Sequence, residues 1–217
     1  MGESVDMLRA AEAAIVAGVA LRDVNRAVDE RILPSGFVGL EGGSRRFSPG
    51  ACVIMAFYAT SSAELTAEWR LQVIKQAAPR LRHTSWRELR AMGRDDWSVR
   101  HDFLTVDLAP FVTGSADRHE QLGAAVEMVT RSPDVLGGMP VIRGTRIPVR
   151  DVAASVAAGY PRERILEAYP SLSGDELDLA VLYAQANPTR GRPRTSLAVP
   201  AGAKVAEMKV SRRQKSG

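Results

Sequence analysis

The chain has 217 residues, 45% of them apolar and 25% charged, a composition that suits one or two globular domains with real cores. No apolar run approaches the roughly 20 residues needed to span a bilayer, and the opening MGESVDMLRAAEAAIVAG carries acids at its front with no cleavage site after it, so neither a membrane span nor a secretory leader is expected and the cytoplasm is the expected location. The formal net charge of +4 is unevenly placed: residues 188–217 hold eight Lys or Arg and one acid, Glu207, which leaves 21 bases against 24 acids in the rest.

In chain order, MLRAAEAAIVAG predicts a helix closed by Gly18, and a second helix starts near Ala20. In that second helix Leu21, Val24, Val28 and Ile32 recur at i, i+3, i+7 and i+11 and predict one buried stripe. The complementary face carries Arg22, Asn25, Arg26 and Asp29, and Arg and Asn are the side chains that bond bidentately to guanine and adenine edges in the major groove. Pro34 stops the helix. GLEGGSRRF follows, a Gly-rich turn ending in Arg45 and Arg46, suited as a wing laid against phosphates. A plain helical hairpin with a polar surface has the same pattern, so spacing alone leaves both readings open.

Ser48-Pro49 predicts another helix start, Ser as N-cap and Pro at the first position, and GACVIMAFYAT after it is apolar nearly all round, hence core. Cys52 within it is a buried small hydrophobe; as the only cysteine it excludes an internal disulfide. SSAELTAEWRLQVIKQAA predicts a helix whose capping box is Ser61 with Glu64, with Leu65, Trp69 and Val73 on one face. Trp69, Trp86 and Trp97 read as packing anchors, and WRELRAMGRDDW as a charged connection. HDFLTVDLAPFV alternates Leu104, Val106 and Leu108 with Thr105 and Asp107, a half-buried strand whose partner is open: the wing, a later strand or a second copy. A long helix from Ser115, striped by Leu122, Ala125, Val126 and Val129, ends before Ser132-Pro133 and is a linker between the halves or part of the second core. MPVIRGTRIPV then predicts two short extended runs around Gly144, and three compact helices follow. Val149, Val152, Ala153 and Val156 stripe the first, Ile165, Leu166 and Tyr169 the second, and Leu177, Ala180, Val181 and Ala184 the third, which opens on a Ser173–Glu176 capping box.

The string GGMPVIRGTRIPV followed by AAGYPRERILEAYPSLSGDELDLAVLYAQANP resembles the domain-of-unknown-function family 433, including its Gly-Thr-Arg-Ile-Pro-Val core and the Tyr169-Pro170 element with Leu172. AAEAAIVAGVALRDVNRAVDERILP resembles the MerR-type helix-turn-helix of the members of that family that act as VapB-type antitoxins, and NPTRGRPR resembles their ends. The likeness runs from about residue 5 to residue 194. It implies a chain that is mainly α with a few short β-strands. Residues 1–110 would be a winged helix-turn-helix DNA-binding domain and 111–131 a linker helix. Residues 132–187 would be a three-helix, helix-turn-helix-like domain, and 188–217 a basic tail too poor in apolar residues to fold alone. It also implies a homodimer that binds operator DNA through Arg22, Asn25, Arg26, Arg45 and Arg46. The partner implied is a PIN-domain (VapC-type) ribonuclease, metal-dependent, with a carboxylate cluster that Arg190, Arg192 and Arg194 would occupy, since guanidinium forks engage carboxylates bidentately.

Arg-Gly-Arg-Pro is also the core of an AT-hook, which lays arginines in a narrow A-tract minor groove, so the tail has two acidic hosts open to it. Arg143, Thr145 and Arg146 admit a contact with phosphate or toxin, but Gly144 more simply serves backbone geometry and the Ile and Val positions strand pairing, within the chain or between copies. No catalytic set is expected: Asp175, Glu176 and Asp178 sit where capping residues belong, no nucleophile elbow or phosphate-binding Gly loop is present, and His83, His101 and His119 are scattered without a Cys partner, so neither an enzyme nor a metal or cofactor is predicted.

Overall fold

In the computed structural model, which describes residues 7–92, 95–101 and 104–188, the first turns are set by capping. A two-residue strand, β1 (Leu8–Arg9), leads into α1 (Ala10–Ala17), where Glu12 reaches back to the Arg9 amide at 2.8 Å. Gly18, at φ 68°, takes the left-handed conformation that closes the helix. Three residues later α2 (Leu21–Asp29) begins. Its buried stripe is Val24 and Ala27, continued by Ile32 beyond the helix end. Leu21 departs from expectation: it is 44% exposed, because the first turn of α2 projects past the core that its later turns enter. The helix ends at Asp29, five residues before Pro34, with Arg31 at φ 56° turning the chain.

The Gly-rich segment is a hairpin, β2 (Val38–Glu41) and β3 (Ser44–Phe47), joined by Gly42 and Gly43 at positive φ. Strand order is β1-β3-β2, and Phe47, fully buried, stands opposite both Leu8 and Val38. Helix α3 (Pro49–Thr60) is capped by Ser48, whose hydroxyl accepts from the Ala51 amide, and is buried from Pro49 to Phe57 as its composition predicts. Ser61 does not start the next helix. It closes α3, donating to the Phe57 carbonyl at 2.7 Å, and α4 (Ala67–Leu81) starts five residues later on Thr66, which is positioned to accept from the Trp69 amide. The stretch read as a charged connection contains α5 (Trp86–Ala91), nucleated by a Ser85–Glu88 capping box.

The half-buried strand finds its partner within the chain: β4 (Ser98–His101) pairs antiparallel with β5 (Leu104–Asp107). Helix α6 (Ala109–Glu127) starts six residues earlier than its apolar stripe suggests, with Pro110 in its first turn. Val112 and Leu122 enter the first apolar cluster, built mainly from α1 to α5, and Ala125 enters the second, built from α7 (Val149–Ala157), α8 (Arg162–Ala168) and α9 (Gly174–Ala186). The segment expected as a linker is therefore a packed element of both halves. Beyond it β6 (Val129–Thr130) pairs with β7 (Val141–Ile142), and Val141 bridges to Pro148. Gly144 has φ 76°, Thr145 bonds the Ile142 carbonyl and the Ile147 amide, and Arg143 donates to the Glu127 carbonyl at the end of α6, so these residues have local structural work. Ser173 and Glu176 form the expected box at α9. Among the described residues no helix is long and apolar enough to cross a membrane.

Two substitutions test this packing. A Cβ on Gly50 would lie 2.4 Å from the Leu81 carbonyl oxygen and 2.8 Å from the Phe37 ring. Ala for Gly inside a helix ordinarily stabilises by up to ~1 kcal/mol, but a backbone oxygen cannot rotate away, so Gly50→Ala should destabilise by about 1–3 kcal/mol, read as a lower urea midpoint at unchanged slope. Arg162 clips α8 to α9 by two bonds to Asp178, at 2.6 and 3.0 Å. That hydrogen bonding holds the Asp178 carboxyl below its ordinary range. A depressed carboxyl contributes its stability above the unfolded pKa of roughly 3.9 and loses it as pH falls through the folded value. Asp178→Asn should thus cost under ~1 kcal/mol at neutral pH, the pair being exposed, and the gap to the native chain should close below about pH 4.

Candidate nucleic-acid interface

The exposed face of α2 is set by the burial of Val24 and Ala27, which turns Arg22, Asn25, Arg26 and Asp29 outward. Its N-terminal turn projects, as the exposure of Leu21 records. Gly18 to Ala20 form the turn between α1 and α2, and the β2–β3 hairpin follows, its Arg45 reaching Asp29 on α2 at 2.9 Å. Arg22, Asn25, Arg26 and Arg45 therefore share one surface.

Arg46 does not join them. Successive strand residues point to opposite faces, and Arg46 turns to Glu41 at 2.6 Å, lining a groove between the hairpin and α6 that also contains Glu12, His119, Gly123 and Glu127. Of its three carboxylates, Glu12 is ion-paired with Arg9 and Glu41 with Arg46, so the groove's charge is largely balanced.

The outward arginines are already partnered. Arg26 donates to Glu30 at 2.7 Å, which raises its pKa, and Arg45 holds Asp29; Arg22, with 88% of its side chain exposed, has among the described residues only Asp23, at 3.8 Å. Exposed pairs of this kind contribute little, because water screens them. A phosphate can replace the carboxylate at little cost, but each exchange yields less than an unpaired arginine would. Arg190, Arg192 and Arg194 lie outside the described residues.

On the other flank of α2, a hollow of about 430 Å³ runs between α1, α6 and α9. The Arg118 Nε donates to the Val16 carbonyl at 2.7 Å there, so this half-buried guanidinium caps the end of α1; burial lowers its pKa. Neither this hollow nor the role of Arg118 was legible in the sequence, because both depend on distant residues meeting, Val16 and Arg118 being 102 positions apart. Cys52 is fully buried and its thiol is pushed up by desolvation, which suits the core role expected of it. No group of three or more His, Cys, Asp or Glu among the described residues is placed to hold a metal ion.

Residues 129–184 match the family model "Protein of unknown function (DUF433)". Over 213 residues the chain is 52% identical to "Uncharacterized protein y4eO" of Sinorhizobium fredii (strain NBRC 101917 / NGR234), covering 98% of this chain and 96% of that protein. The crystal structure of Rv2018 from Mycobacterium tuberculosis matches at 15% identity over 83% of this chain and 99% of its own, with a TM-score of 0.29, too loose a superposition to carry an argument.

Asp29→Asn should release Arg45 to a phosphate. On a mixed-sequence duplex the affinity of that variant should rise and its log K against log salt should steepen by about 0.9, one phosphate contact. An unchanged slope means that Arg45 faces no phosphate.

Proposed function

We propose that this chain, which belongs to the same family as the Sinorhizobium fredii protein y4eO and carries a DUF433 domain, is the antitoxin of a type II toxin–antitoxin pair. It binds and silences a PIN-domain ribonuclease and represses its own operon by binding operator DNA. The observation that carries the reading is one fused arrangement: α1, a three-residue turn, α2 and the β2–β3 hairpin are packed through α6 onto a DUF433 domain whose last helix hands on to an arginine strip. Two helices joined by a short Gly-containing turn and followed by a hairpin supply a recognition helix and a wing.

In this reading α2 enters the major groove with Arg22, Asn25 and Arg26, and Arg45 follows the backbone. A homodimer presents two such helices to the two half-sites of an operator. The DUF433 helices dock the toxin. Arg190, Arg192 and Arg194, spaced by Gly191 and Pro193, take the place of the metal among the toxin's carboxylates and block the RNA path. Inhibition then requires no chemistry from this chain. Residues 188–217 carry eight bases against one acid, and removal of that segment by proteolysis frees the toxin.

The two functions separate by mutation. Arg22→Ala or Arg26→Ala should weaken operator binding by about tenfold or more, the worth of a bidentate base contact, while ribonuclease inhibition is retained. Alanine at Arg190, Arg192 and Arg194 together should abolish inhibition yet leave the core operator motif bound. Arg22 and Arg26 variants with native DNA affinity would remove the recognition-helix assignment. A chain that binds operator DNA and no nuclease would be a plain transcriptional regulator.

A further inference from the structure

Arg70, on α4, is a half-buried cation whose partners are neutral. Its Nη1 donates to the Tyr58 carbonyl at 2.6 Å, its guanidinium carbon stands 4.0 Å from the centre of the Tyr58 ring, and its Nε is buried with no acceptor. Arg9, Arg26, Arg45, Arg46 and Arg162 each hold a carboxylate; among the described residues no carboxylate pairs with Arg70. A buried donor left without a partner and a charge withdrawn from water without a counter-charge are both costly. This guanidinium calls for an anion that the described residues do not supply.

The same side chain lines a cavity of about 220 Å³ between α2, α3 and α4. Ala27, Ile32 and Met55 form its buried apolar floor, and Asp23, Arg26 and Ser62 stand at its more exposed rim. We infer that this cavity is a binding site for a small monocarboxylic acid, its apolar body on the floor and its carboxylate on the Arg70 guanidinium. Size agrees: a cavity of roughly 150 Å³ holds benzene, so this one takes a ring or a short chain with a carboxylate attached. Charge agrees as well. Arg26 is already held by Glu30, and Asp23 at the rim opposes a dianion such as phosphate more than a singly charged acid. The Arg70 fork carries several donors, so it can keep its bond to the Tyr58 carbonyl and still engage a carboxylate. The cavity lies against the inner side of α2, and Arg26 borders both it and the outward face. The site nevertheless stands on Arg70 and the apolar floor, independently of the operator and toxin readings.

Titration of the full-length chain with sodium benzoate and sodium hexanoate tests this, followed by NMR at the Ile32 and Met55 methyl groups and at the Arg70 Nε–H. At least one acid should shift all three sets of signals together and saturate below roughly 10 mM, the weak range of a minimal ligand. Benzyl alcohol keeps the ring and loses the charge, and inorganic phosphate lacks the apolar body; each should bind about tenfold more weakly or worse. Arg70→Gln should weaken the acid by about tenfold or more, the worth of a hydrogen bond to a charged group. Ala59→Phe, which fills the cavity from its exposed side and leaves Arg70 in place, should abolish the shifts. The site is overturned by the absence of a saturable shift with either acid, by benzyl alcohol binding as tightly as benzoate, or by native affinity in either variant. If Arg70→Gln does not fold, Ala59→Phe and the alcohol comparison decide.

Discussion

Burial of α6 on two sides is the constraint that holds the rest in place. Val112 and Leu122 belong to the cluster built from the first five helices, and Ala125 to the one built from the last three. Closely packed interiors transmit displacement instead of absorbing it, so the DUF433 helices and the N-terminal helix pair keep a defined geometry. α9 adds to this with Ala186 in the first cluster, Tyr183 in the second, and an Asn187 side chain tied to Arg9. Pro188 therefore stands at a fixed point beside the turn that precedes α2.

Much of the fold was legible because its signals are local. Gly18, the Ser48-Pro49 start and the Ser173–Glu176 box each depend on residues within one turn of one another, and each stands where the sequence places it. The errors are local competitions too. Ser61 lies three residues before Glu64 and looked like a cap, but its hydroxyl closes the preceding helix instead, leaving Thr66 as the next helix's N-cap. α5 has too few apolar positions to show a helical stripe, and its signal is the Ser85–Glu88 capping box. Val129, expected on the buried stripe of the long helix, lies in β6, and the strand at 104–107 pairs with the residues just before it, not with the wing, a later strand or a second copy, since a lone alternating run does not name its partner.

The candidate interface was legible in its residues and not in its electrostatics. Arg22, Asn25 and Arg26 share a face because Val24 and Ala27 are buried, a one-dimensional pattern. That Arg45 joins them while Arg46 turns away follows from strand alternation once β3 is known to be a strand. The pairing of Arg45 with Asp29, the groove and the hollow required the folded chain.

The central claim is that this chain silences a ribonuclease with its tail. It is tested by immobilising the full-length chain, and a version ending at Asn187, in lysate of the source organism, then assaying each captured fraction for magnesium-dependent RNA cleavage. The account predicts that both retain one small PIN-type nuclease, silent on the full-length chain and active on the truncated one. Capture of no nuclease by either chain, or equal cleavage from both fractions, would contradict it.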